Sequence, residues 1–218
     1  GSDAVRTRLG RHYSTEAVRE TVKACLKHRI PVTNFFSVGL ADESECEMAE
    51  TWRLWAELDA LNQEAAARGE FGDIEESVAI GGQVLGPIVL DPGSQAFDEP
   101  ETHGYRLLYK DLKTYVDALS QASWDQWLNY ETSALDRAAI VDMIHRSVEF
   151  TIDQRERYGF YGGPEAYYER CRVEADRVIV EEMAKVRALP DARERELRTV
   201  ALRKNLDQLE KQRMVFLE

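Results

Sequence analysis

"QVLGPIVLDPGS", residues 83–94, is the stretch on which the reading of the fold turns. Val84, Leu85, Ile88, Val89 and Leu90 are apolar, and Asp91, Pro92, Gly93 and Ser94 are four turn formers in succession. An apolar run that stops at such a corner reads as a buried strand, here over about 77–90. Gly81 and Gly82 fall inside that run. Glycine weakens a strand interior unless something must come close. The segment is therefore a bulge, a packed helix, or a wall beside a ligand.

Working outward, "IPVTNFFSV" is β-branched and aromatic and predicts a strand over about 32–38. Ser14 caps a predicted helix over 15–29, with Val18, Val22, Cys25 and Leu26 on one face. "GLADESE" breaks the first strand and opens a second helix that runs to about Arg68. Both Ser44 with Glu47 and Asp42 with Glu45 fit a capping box there. Met48, Trp52, Trp55 and Leu58 form its buried side. The order helix, strand, helix, strand implies a parallel crossover. Two parallel strands are marginal alone and are normally covered on both faces. Further strands are expected from an N-terminal part of the same polypeptide, from a partner chain, or from an unrecognised hairpin.

Beyond Ser94 the pattern becomes helical. "FDEPETHGYRLLY" is a loop followed by a short strand or helix, and 111–119 suits a short helix. Long helices are predicted over 134–157, 164–188 and 191–214. "YGFYGGP" separates the first two, and Pro190 marks the third. The last is heavily charged, with Leu202, Leu206 and Leu209 as a thin apolar seam. The expected division is an α/β part over 1–95 and a mainly α-helical part over 96–218, with the boundary near 95–110.

Composition narrows the function classes. A formal net charge of −12 argues against nucleic acid or an anionic membrane as partner, since both need clustered Lys and Arg. No apolar run approaches a membrane span, and no secretory signal pattern opens the chain. Cys25, Cys46 and Cys171 are odd in number and far apart, which points to a reducing, cytoplasmic setting and to no metal held by this chain alone. Gly1-Ser2 reads as a cloning remnant or as the truncated end of something longer.

Two strand ends are candidate ligand sites. Gly39 ends the first strand just before a helix N-terminus, where exposed N–H groups hold an anion or a polar ligand edge. A simple βα turn, with acids placed for the helix dipole, is the simpler explanation, since acidic loops do not favour phosphate. The Pro92–Gly93–Ser94 corner lies at the carboxyl end of the second strand, and parallel α/β sheets bind ligands at such ends. Trp124, Trp127 and Tyr130 in "SWDQWLNYET" suit core anchors more simply than a stacking platform. His12, His28, His103 and His145 are scattered, with no partner in view.

Taken together, "GSDAVRTRLGRHYSTEAVRETVKACLKHRIPVTNFFSVGLADES" resembles the second half of a radical SAM barrel. There a strand ends in a Gly-Ser corner, and the next ends in a Gly-Leu-Pro-Gly-Glu-Thr-like loop. Here that loop is Gly39-Leu40-Ala41-Asp42-Glu43-Ser44, without the proline and second glycine. "LDPGS", "FDEPETHGYRLLYKDLKTY" and "SWDQWLNYET" are similar to the cobalamin-binding radical SAM family in particular. The resemblance covers about the first 135 residues.

It implies an incomplete, TIM-like radical SAM barrel of parallel strands followed by a helical domain. It further implies S-adenosylmethionine, a [4Fe–4S] cluster held by Cys-x-x-x-Cys-x-x-Cys, and cobalamin on a separate N-terminal domain. The reaction would be a radical methylation or related carbon-centred chemistry on a small-molecule substrate. This chain has no such cysteine motif. It is therefore expected to be the C-terminal portion of a longer enzyme, to hold none of these cofactors alone, and to be inactive alone. Its partners would be the missing barrel strands and cobalamin domain, or a complementing chain. By resemblance, Ser2 faces the ribose and amino-acid moiety, Ser37 and Gly39 flank the adenine, and Gln83, Pro92 and Gly93 approach the adenosyl group. Asp91 would point near substrate or cap the corner. The rival reading is a non-catalytic helical module whose strands complete a partner's sheet.

Overall fold

The computed structural model describes residues 1–30, 32–69, 83–121 and 123–214. Its elements in chain order are α1 (Asp3–Arg8), α2 (Thr15–Lys27), β1 (Asn34–Val38), α3 (Glu45–Ala67), β2 (Gln83–Pro87), α4 (Gln95–Asp98), β3 (Tyr105–Leu107) and α5 (Leu112–Leu119). A 3-10 turn (Trp124–Trp127), β4 (Tyr130–Thr132), α6 (Arg137–Arg157), α7 (Gly163–Arg187) and α8 (Ala192–Met214) follow. The protein is mostly helical with a few short strands. The expected strand residues 77–82, including Gly81 and Gly82, lie outside the described residues, as do the side chains of Leu206 and Leu209.

The helix starts follow local rules. Ser14 Oγ accepts the Ala17 N–H, and Ser44 with Glu47 forms a complete capping box. The alternative pair Asp42 and Glu45 is not used. Asp42 instead takes a positive φ of 53° in the turn before α3. Asp111 and Asp136 cap α5 and α6 in the same way.

β1 and β2 pair in parallel, Asn34 with Gln83 through Val38 with Pro87. α3 and α6 both contact this pair. Alternation along β1 sends Phe36 and Val38 into the core and leaves Phe35, 75% exposed, on the opposite face. On that opposite face Ser37 is half-buried, so among the described residues of β1 the missing cover is confined to its Phe35 end. Among the described residues no hairpin extends the β1–β2 pair. β3 and β4 pair antiparallel, Tyr105 with Thr132 and Leu107 with Tyr130, but as a separate sheet that adds nothing to β1 and β2.

The main buried cluster joins Val38, Met48 and Leu90 to Tyr105, Leu128, Tyr130 and Ile140, so it draws on both sides of the boundary expected near 95–110. A second cluster packs Val22, Leu26 and Phe36 on Leu54, Trp55 and Leu58. Polar links bind the helices. Trp52 Nε1 donates to Ser147 Oγ at 2.8 Å, and Arg155 grips the buried Asp59 with two bonds of 3.0 and 3.1 Å. No helix among the described residues is long and apolar enough to cross a membrane.

Candidate functional site

A cavity of about 780 Å³ opens at the carboxyl ends of β1 and β2. One wall is the α1–α2 loop with Arg8 and Arg11, and another is the β1–α3 loop with Leu40, Ala41 and Asp42. Ser37 comes from β1 and Ile88, Leu90 and Ser94 follow β2, while Thr102, His103, Gly104 and Tyr105 close the far side. The sequence pointed to this end of the strands because a parallel pair leaves its loops and unpaired carbonyls there.

Glu43 organises the β1–α3 wall. Its Oε2 accepts the Gly39 N–H at 3.0 Å and the Leu40 N–H at 3.2 Å. Burial pushes its pKa up to about 7, against the lowering effect of those two bonds. Gly39 has φ 75°, and a Cβ there would lie 2.7 Å from Ile140 Cγ2. The glycine thus serves a left-handed turn and close packing. The Tyr105 hydroxyl accepts the Ala41 N–H at 3.2 Å and is pushed up by burial. The Tyr130 hydroxyl is buried near the Ile88 N–H, out of hydrogen-bond geometry with any described group, and its pKa is raised well above the usual phenol range by desolvation.

The expected site residues separate. Ser37 lines the cavity and Gly39 stands buried behind its wall. Ser2 is not at a strand end. It precedes α1, is buried, and borders a different groove with Thr15, Arg19 and Glu50. Gln83 pairs opposite Asn34, four residues from the cavity end of β2 at Pro87. Pro92 and Gly93 make the exposed turn, with Gly93 at φ 88°, and it is their neighbour Ser94 that reaches the cavity. Asp91 Oδ1 accepts the Tyr115 hydroxyl at 3.1 Å, tying the corner to α5. Asn129 clamps the strand exit, accepting the Leu90 N–H and donating to the Leu90 carbonyl.

Two features escaped sequence reasoning. Arg11, in a polar loop, carried no motif. His145 acquires a partner only across the helix pair: its Nε2 lies 2.7 Å from Asp176 Oδ2, which also accepts Trp124 Nε1 at 2.7 Å. These bonds hold the Asp176 carboxyl below its usual pKa despite desolvation. No spacing rule connects positions 124, 145 and 176. Trp127, the other candidate aromatic, is 44% exposed and lies outside the cavity.

Cys25, Cys46 and Cys171 sit on α2, α3 and α7, and no group of His, Cys, Asp and Glu among the described residues is arranged to hold an ion. No family model, curated protein or solved structure matches the chain.

Proposed function

We propose that this chain is the C-terminal portion of a cobalamin-dependent radical SAM enzyme: the last strands of an incomplete barrel with a helical domain beside its mouth. One observation carries this reading. β1 buries Phe36 and Val38 on one face and turns the exposed Phe35 and half-buried Ser37 to the other, and the carboxyl ends of the parallel pair border the cavity. In a barrel of parallel strands the helix-covered face is outward and the other lines the interior, with chemistry at the carboxyl ends.

In this reading the rest of the barrel and a cobalamin domain come from the same polypeptide or a complementing chain. The cluster is not placed on these residues, because its three thiolates are not supplied by Cys25, Cys46 and Cys171. S-adenosylmethionine bound with its cluster supplies a carbon-centred oxidising radical in this class of enzyme. This chain contributes the wall. Ser37 and Ser94 offer hydroxyls at the strand ends, Leu40, Ile88 and Leu90 offer apolar surface that excludes water, and Glu43 fixes the backbone between them.

The test has two parts. The reading frame upstream of Gly1 should encode Cys-x-x-x-Cys-x-x-Cys, and anaerobic reconstitution of these 218 residues with iron and sulfide should give no stoichiometric cluster. An initiator Met directly before Gly1, or a full cluster on this chain, overturns the proposal. On the complete polypeptide, S-adenosylmethionine should protect amides 37–41 and 91–94 from hydrogen exchange.

The second reading, a non-catalytic module that completes a partner's sheet, is favoured by the other edge of β1. Among the described residues β1 pairs only with β2, and Asn34 Nδ2 is buried without an acceptor beside a groove of about 220 Å³. The upstream frame separates the two readings.

A further inference from the structure

We infer that the cavity at the carboxyl ends of β1 and β2 takes an anionic small molecule, a carboxylate or phosphate, recognised by Arg11. The inference deepens the reading above by giving the substrate's chemical class, and it rests on that reading only for the word substrate. The chain as a whole carries a net charge of −12, yet among the described residues lining this cavity the basic side chains are Arg8, Arg11 and His103 and the one carboxylate is Asp42. A basic lining in an acidic protein concentrates anions locally.

The two arginines are not equivalent. Arg8 is committed: its Nη1 donates to Glu47 Oε1 and its Nη2 to the Asp42 carbonyl, each at 2.8 Å. That bond, with Ser44, holds the Glu47 carboxyl down to about 2. Asp42 is also engaged, accepting the Ser133 hydroxyl at 2.7 Å. The Arg11 guanidinium makes no hydrogen bond or ion pair with any described residue, and it lines both the cavity and the groove along β1. Its backbone is nevertheless fixed. The Arg11 N–H donates to the Arg6 carbonyl at 2.8 Å, and Gly10 turns the chain at φ 71°. A guanidinium held by its backbone with its fork free suits bidentate capture of a planar or tetrahedral oxyanion. Across the cavity, Ser37, Ser94, Thr102 and Tyr105 carry hydroxyls able to donate to remaining oxygens.

The experiment uses the full chain, isotope-labelled, titrated with inorganic phosphate in one arm and succinate in the other at constant ionic strength set with chloride. Saturable amide shifts confined to residues 8–11, 37–42 and 102–105 are expected with at least one probe, and the responding arm identifies the anion. R11Q should weaken that binding at least tenfold. R172Q, on the exposed face of α7, should leave it unchanged. Absence of saturation with both probes, or equal affinity in R11Q, overturns the inference. The cluster-motif search can fail while anion binding persists, and the reverse, so the two proposals fall separately.

Discussion

Glu43 Oε2 lies 3.0 Å from the Gly39 backbone nitrogen, so a buried carboxylate closes the turn through which β1 enters the cavity wall. The same oxygen takes the Leu40 N–H. Those bonds only partly offset desolvation, and the Glu43 pKa stands at about 7, above its ordinary 4.5. Between those two values the carboxyl is mostly protonated in the native state while mostly ionised in the unfolded chain. Its contribution is therefore fully present below pH 4.5 and is lost as pH rises toward 7, by up to about 3 kcal/mol. Urea unfolding at pH 5 and pH 7.5 should show this fall in the wild type and a flatter profile in E43Q. A wild type whose Glu43-dependent stability rises over that window contradicts the geometry.

Gly39 and Gly93 share a left-handed backbone and differ in their surroundings. An added Cβ at Gly39 meets Ile140, whereas nothing lies within 4 Å of one at Gly93. G93A should cost about 1 kcal/mol of backbone strain. G39A adds overpacking and should cost about 2–4 kcal/mol. Denaturant midpoints of the two variants give the comparison.

Asp176 holds two donors at once, the Trp124 indole and the His145 ring. D176A leaves both without their acceptor, and His145 is buried. A loss of about 2–4 kcal/mol is expected, together with a shift in Trp124 emission. D176N retains an acceptor and should lose less. The tryptophan spectrum is the readout that separates local release from global unfolding.

Asp59, only 4% exposed, is gripped by Arg155, whose guanidinium also stacks over Trp55 and Tyr161. D59A strands a half-buried cation and should destabilise by about 3 kcal/mol. The double variant D59A/R155M should recover part of that loss, as a thermodynamic cycle on thermal or urea unfolding would show.

Helices and their ends were legible because their causes are local. Ser14 and Ser44 bond to N–H groups three residues on, and the buried faces of α2 and α3 follow from the period of Val22, Leu26, Met48, Trp55 and Leu58. The parallel pairing of β1 with β2 followed from the long helix between them. The length of β2 did not. Ile88 to Leu90 look like strand but leave the ladder, because Leu90 exchanges its backbone bonds with the Asn129 side chain instead. That exchange goes with the end of the ladder at Pro87.

The sequence by itself determined a mostly helical chain with one parallel crossover, glycine-bearing turns at its strand ends and an acidic surface, because propensity, capping and periodicity act over a few residues. Tertiary structure alone decided that Phe35 stands bare while Phe36 is buried, that Arg11 is left free beside Arg8, and that His145 meets Asp176. Each depends on groups brought together from distant positions, and on which hydrogen bonds and charges are already satisfied once the chain has packed.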